Sequence, residues 1–211
     1  MRTMLTVIEG RVLGCLLEKE RTTPDQYPLT QNALVSASNQ STSREPVMHL
    51  DDHEVDAALT SLKSQGLLRF VHPSHGRSVT RYRHVADEKW QMEPAQLAVV
   101  AVLLLRGPQT AAELRTRTER LHEFDSVEAV EAELSALASQ GVVQLLERQP
   151  GQKEARWQQL LAEEIEQTYV ASVIEPSAMR GSTADRIAQL EARVARLEAA
   201  LVDLLDPLPP D

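Results

Sequence analysis

Apolar positions along the chain fall into helical spacings and short extended runs, and the whole arrangement occurs twice. Val55, Leu59 and Leu62 stand at i, i+4 and i+7 and make one face of a helix. Asp51 and Glu54 before it have capping-box spacing, with Leu50 and Val55 as a hydrophobic staple. Gly66 suits the left-handed position that ends a helix. An extended run at 67–71, a turn rich in Pro, Ser and Gly at 73–76 and a return run at 79–85 predict a β-hairpin. The same order follows later: a helix over 127–140, Gly141, a strand over 142–147, a turn at Pro150-Gly151 and a strand near 155–160.

The likeness is a true internal repeat. Residues 55–82 align with 130–157 without a gap, and nine of the 28 positions are identical, including Arg81 with Arg156 and Gly66 with Gly141. Two further helices precede each unit. In the first they lie over 5–20, with Ile8, Val12, Cys15 and Leu16 on one face, and from Thr30, with Leu29 and Leu34 as a staple. In the second they lie over 94–105 and 110–118, where Thr110 and Glu113 have capping-box spacing. Gly10 and Gly14 in the first helix suit close helix packing. Three helices followed by a two-stranded hairpin is the winged-helix order. The predicted class is mainly α with small β-wings (α+β): two tandem winged-helix domains, residues 1–90 and 91–162, plus a C-terminal coiled-coil helix.

That C-terminal helix, residues 184–206, follows a linker at 163–183 and precedes a frayed tail at 207–211. Ile187, Leu190, Val194, Leu197, Leu201 and Leu204 are spaced alternately three and four apart, an a/d heptad seam. Arg186 and Arg193 occupy g positions, Glu191 and Glu198 e positions, so a parallel pair sets Arg186 against Glu191 and Arg193 against Glu198 of the partner. The expectation is a homodimer; the alternative is an amphipathic helix packed on its own chain.

Several segments go beyond generic patterning. The run LTVIEGRVLGCLLEKERTTPDQYPLTQNAL, followed by NQSTSREPVMHL, resembles the YceH family of bacterial proteins, as do LLLRGPQTAAELRTRTERLHEF and PGQKEARW. The resemblance covers residues 4–161. It implies the tandem winged-helix fold and supplies no reaction, substrate or site.

Charge changes the picture only once it is divided. The chain of 211 residues has a net charge of −9, which argues against nucleic acid at face value. Residues 1–90 are neutral, however, with 11 basic and 11 acidic side chains, while residues 163–211 carry 4 and 10. Residues 69–84 hold four Arg, three His and no acid. Strand alternation turns Leu68, Phe70 and Tyr82 inward and sets Arg69, Arg81 and Arg83 on the outer face, with Arg77 near the tip. Guanidinium forks on such a face suit phosphate oxygens, so double-stranded DNA is the expected partner. Asn39, Gln40 and Arg44, in the polar run 38–44 between the second and third helices, are the supplementary contacts. The alternative is a protein–protein adaptor, because both third helices are acidic: Asp51, Asp52, Glu54 and Asp56 in the first, Glu128, Glu131 and Glu133 in the second. Acid at a helix N-terminus also simply caps it.

Other chemistry finds little footing. One Cys excludes a disulfide framework, and Cys15 reads as buried packing. The six His are scattered, so no metal or cofactor is expected, and no nucleophile elbow, zincin motif or phosphate loop is present. The longest apolar run, 97–105, is too short to span a bilayer, and the first ten residues lack a signal-peptide core. A non-enzymatic, cytoplasmic protein without a membrane segment is the expectation.

Overall fold

Thr6 opens the first helix. Its hydroxyl accepts from the Glu9 amide at 3.2 Å while Glu9 accepts from the Thr6 amide at 2.7 Å, a closed capping box ahead of α1 (Val7–Thr22). The structure, a computed structural model, describes residues 4–71, 79–148 and 151–163. The hairpin tip with Arg77, the linker and the heptad seam from Ile187 to Leu204 with its flanking charges lie outside the described residues.

In the first half, α1 is followed by a 3-10 turn (Pro24–Gln26), α2 (Gln31–Ser38), α3 (Asp52–Ser64), and the antiparallel strands β1 (Leu68–Val71) and β2 (Arg81–His84). In the second, α5 (Pro94–Arg106), α6 (Ala111–Thr118) and α7 (Val127–Ser139) lead to the antiparallel strands β3 (Val143–Leu145) and β4 (Trp157–Gln159). This is the mainly α architecture with small β-wings that the pattern predicts. The local signals act as read: Thr30, Asp51 and Thr110 cap their helices, and Gly66 and Gly141 take positive φ of 72° and 67° after α3 and α7. One element has no sequence signal of its own. Helix α4 (Ala86–Trp90) is five residues long and buries only Ala86 and Trp90, too few positions to show a period.

Each hairpin gains a third edge from the residue before the cap of the second helix in its half. Leu29 pairs with Tyr82 and Gln109 with Trp157, antiparallel bridges at equivalent places in the repeat. Leu5 adds a parallel bridge to Ala162, so the start of α1 is tied to the end of the second half.

The apolar run 97–105 finds its explanation in α5. A helix that is apolar all round belongs between other elements. Residues Leu97 to Leu103 are all buried, and α5 packs against α1, α6, α7 and β4. On α1, Val12, Leu13 and Leu16 are fully enclosed, and with Leu103, Leu114 and Leu134 they belong to one continuous cluster spanning both halves. Gly10 and Gly14 make this contact close, as their spacing suggests. A Cβ on Gly10 would lie 2.8 Å from the Ala162 Cβ, and one on Gly14 would lie 3.0 Å from Leu105 Cγ. Among the described residues no helix is long and apolar enough to cross a membrane.

Candidate nucleic-acid interface

The first hairpin sets its side chains by register. Arg69 stands opposite Arg83, Phe70 opposite Tyr82, and Val71 opposite Arg81. Tyr82 and His84 are buried and Phe70 is half-buried, its ring 5.1 Å from that of Tyr82 in an edge-on pair. Lys63 of α3 caps the other side, its Nζ 3.9 Å from the Phe70 ring centroid. The outer face therefore carries Arg69, Arg81 and Arg83, as alternation requires.

Those three arginines differ in what they are free to do. Arg69 donates to Glu88 of α4 at 2.8 Å, and Arg83 lies 3.6 Å from the other oxygen of the same carboxylate. The side chains are 59% and 43% exposed, and an ion pair this open is worth about 0–1 kcal/mol, so it holds neither arginine firmly. Glu88 was invisible as a partner because it belongs to α4, four residues past the basic run. Arg81 is occupied differently. Its Nη1 donates to the carbonyls of Gln26 at 3.2 Å and Pro28 at 2.7 Å, holding the strand stub that precedes α2. Its repeat partner Arg156 does the same to Pro108 at 2.9 Å and also pairs with Glu113 at 2.9 Å. A device repeated in both halves is a clamp for the fold. Replacing Arg156 by Ala is expected to cost about 1–2 kcal/mol in urea unfolding, and Arg81 to Ala less, since Arg81 has no carboxylate partner among the described residues. Equal and negligible losses would show that the clamps carry no stability.

The polar loop contributes scaffolding. Asn39 receives the Leu50 amide and donates to the Leu50 carbonyl, both at 2.7 Å, which fixes the backbone just before the α3 cap. Arg44, expected as a phosphate contact, has a side chain that is 0% exposed. Its five donors are all engaged: Ala37 and Ser43 carbonyls at 2.9 and 2.8 Å, the Glu18 carboxylate at 3.2 and 2.7 Å, and Gln40 Oε1 at 3.0 Å. The structure thus corrects the surface placement of Arg44 and gives Gln40 and Asn39 internal partners. The physical reason is the carboxylate of Glu18 in α1, 26 residues away, which draws the guanidinium inward.

The acids of α3 divide into two sets. Asp51 accepts from the Glu54 amide at 2.8 Å and Glu54 from the Asp51 amide at 2.9 Å, so these two cap the helix. Asp52 and Asp56 remain exposed. Cys15 is fully buried, burial pushes its thiol pKa up, and it fills the core. Among the described residues no three His, Cys, Asp or Glu side chains converge as metal ligands.

Comparison with known proteins places this geometry in a family. Residues 5–152 match a family described as "Protein of unknown function, DUF480". A UPF0502 protein of Solibacter usitatus is 48% identical over 202 residues, covering 95% of this chain and 96% of the relative. UPF0502 proteins of Geobacter sulfurreducens and Citrobacter koseri are 45% and 43% identical, with 93% and 97% of this chain and 91% and 98% of the relatives covered. Identity at this level over nearly the full length of both partners agrees with the resemblance read from the N-terminal motifs: the chain belongs to the DUF480/UPF0502 family, of which YceH is a member.

Proposed function

We propose that the protein is a non-enzymatic, cytoplasmic DNA-binding regulator built from two tandem winged helices and dimerised through the heptads of residues 184–206. The observation that carries this reading is the cross-strand pair Arg69 and Arg83, exposed on the outer face of the first wing and restrained, among the described residues, by one solvent-accessible carboxylate. Arg77, outside the described residues, extends the basic run in the sequence. Wing contacts suit this chain better than a groove-reading α3, whose exposed Asp52 and Asp56 would face phosphates.

Titration onto duplex DNA at several salt concentrations tests it. Each phosphate neutralised contributes about −0.9 to the log–log salt slope, so Arg69→Ala and Arg83→Ala should each flatten it by about one unit. Arg44→Ala is a poor probe because its effect runs through folding. Absence of measurable binding at about 50 mM salt overturns the reading. In that event the exposed acids of α3, with Glu128 and Glu131 of α7, favour an adaptor that docks a basic protein surface. Light scattering on the chain with and without residues 184–211 reports the dimer: an unchanged mass removes the coiled-coil assignment.

A further inference from the structure

A second cluster of arginines lies away from the wing, where the two halves meet. A cavity of about 250 Å³ opens there, walled on its apolar side by Val102, Leu105 and Leu121 and on its polar side by Arg106, Arg117 and Arg120. The first half supplies Glu18, Thr22 and Ser43 to the same cavity.

The arginines outnumber the carboxylates free to meet them. Glu18 is held by Arg44 at 2.7 Å and Lys19 at 3.2 Å. Glu113 lies 3.9 Å from Arg117 but is taken by Arg156 at 2.9 Å and by the Thr110 cap. Arg106 donates to the Ser43 hydroxyl, and Arg120 has no hydrogen bond or ion pair among the described residues. Glu119 is the one lining carboxylate left without such a partner among them. Burial and the neighbouring Arg117 charge push the Arg106 pKa down, against a smaller opposing pull from Glu18 and Glu45.

The geometry points to an effector site for a small organic oxyanion, a phosphate monoester or carboxylate, whose charged group is bound by Arg106, Arg117 and Arg120 and whose compact apolar body lies on Val102, Leu105 and Leu121. Guanidinium forks match such oxyanions in pairs of hydrogen bonds. The volume fits the body, since an apolar cavity of about 150 Å³ already admits benzene. A ligand there touches both halves, so its binding strengthens their contact whether or not the protein binds DNA.

Calorimetry and thermal unfolding of the full chain with phenyl phosphate, benzoate and inorganic phosphate, at matched ionic strength, test the assignment. Phenyl phosphate or benzoate should raise the melting temperature and bind more tightly than inorganic phosphate; which of the two is preferred identifies the oxyanion. Arg117→Gln with Arg120→Gln should weaken binding at least about tenfold, the loss expected for charge-assisted hydrogen bonds. Neither side chain is buried, so the ligand-free melting temperature should stay unchanged. No binding of any probe at about 10 mM overturns the site, as does equal binding by the double variant. Equal affinity for inorganic phosphate and phenyl phosphate overturns the apolar contact.

Discussion

Replacing Arg44 by Leu is expected to lower the unfolding free energy by about 3–5 kcal/mol, because it leaves the Glu18 carboxylate half-buried with only Lys19 beside it. The guanidinium also satisfies two backbone carbonyls, at Ala37 and Ser43. The pH dependence should change with it. Burial alone raises the Glu18 pKa, yet the hydrogen bonds and charge of Arg44, helped by Lys19, outweigh it and hold the group below its ordinary 4.5. A carboxyl depressed in the folded state stabilises above its unfolded pKa, and the contribution fades as pH falls through the folded value. Wild type should therefore lose stability below about pH 4.5 as Glu18 takes up a proton, whereas in Arg44→Leu burial dominates and protonation relieves strain. Urea unfolding at pH 7 and across pH 5 to 3 reads both effects. A loss under about 1 kcal/mol at pH 7 would mean that the pair is replaceable by water.

Gly10→Ala should destabilise even though alanine is the better helix former by about 1 kcal/mol. The added Cβ would stand 2.8 Å from the Ala162 Cβ, closer than carbon atoms tolerate. Ala162 cannot retreat freely, since Leu5 donates to Leu161 at 2.9 Å and Glu163 donates to Leu5 at 2.8 Å on either side of it. Overpacking of this kind costs about 1–3 kcal/mol. Gly14→Ala meets Leu105 Cδ2 and Cγ at 3.0 Å and Leu104 Cβ at 3.2 Å, contacts less tight than the one at Gly10, so its loss should be smaller. Midpoints from denaturant melts give the order. Stabilisation by Gly10→Ala would show that the α1 joint has room to open.

The elements were legible because their signals are local. Capping boxes at Asp51 and Thr110, the glycines after α3 and α7, and the period-two alternation of β1 and β2 depend on neighbours within a few residues, and all hold. The candidate site was legible only as far as chain geometry carries it. Strand alternation correctly brings Arg69 and Arg83 together. It says nothing of Glu88, Gln26, Pro28 or Glu18, which arrive from other elements and decide which cations stay free. The arginines of α6 show the same limit. Helical spacing accounts for the pair of Arg117 with Glu113 at 3.9 Å, but not for Arg115 turning to the carbonyls of Phe124 and Asp125, nor for Arg156 reaching Glu113 from outside the helix. The repeat itself offered one signal that could have been used further: an arginine retained at both 81 and 156 points to a shared structural duty rather than to a ligand.

The contact between α1 and α5 carries a historical consequence. These are the corresponding first helices of two copies of one unit, and like surfaces meeting is what a self-associating ancestor of a single unit would have presented. Fusion into one chain frees such a surface from having to complement itself. The two sides have since parted: one offers the notches of Gly10 and Gly14, the other the bulk of Leu104 and Leu105. Within the present chain the joint is therefore asymmetric, a notched face on α1 filled by the bulkier face of α5.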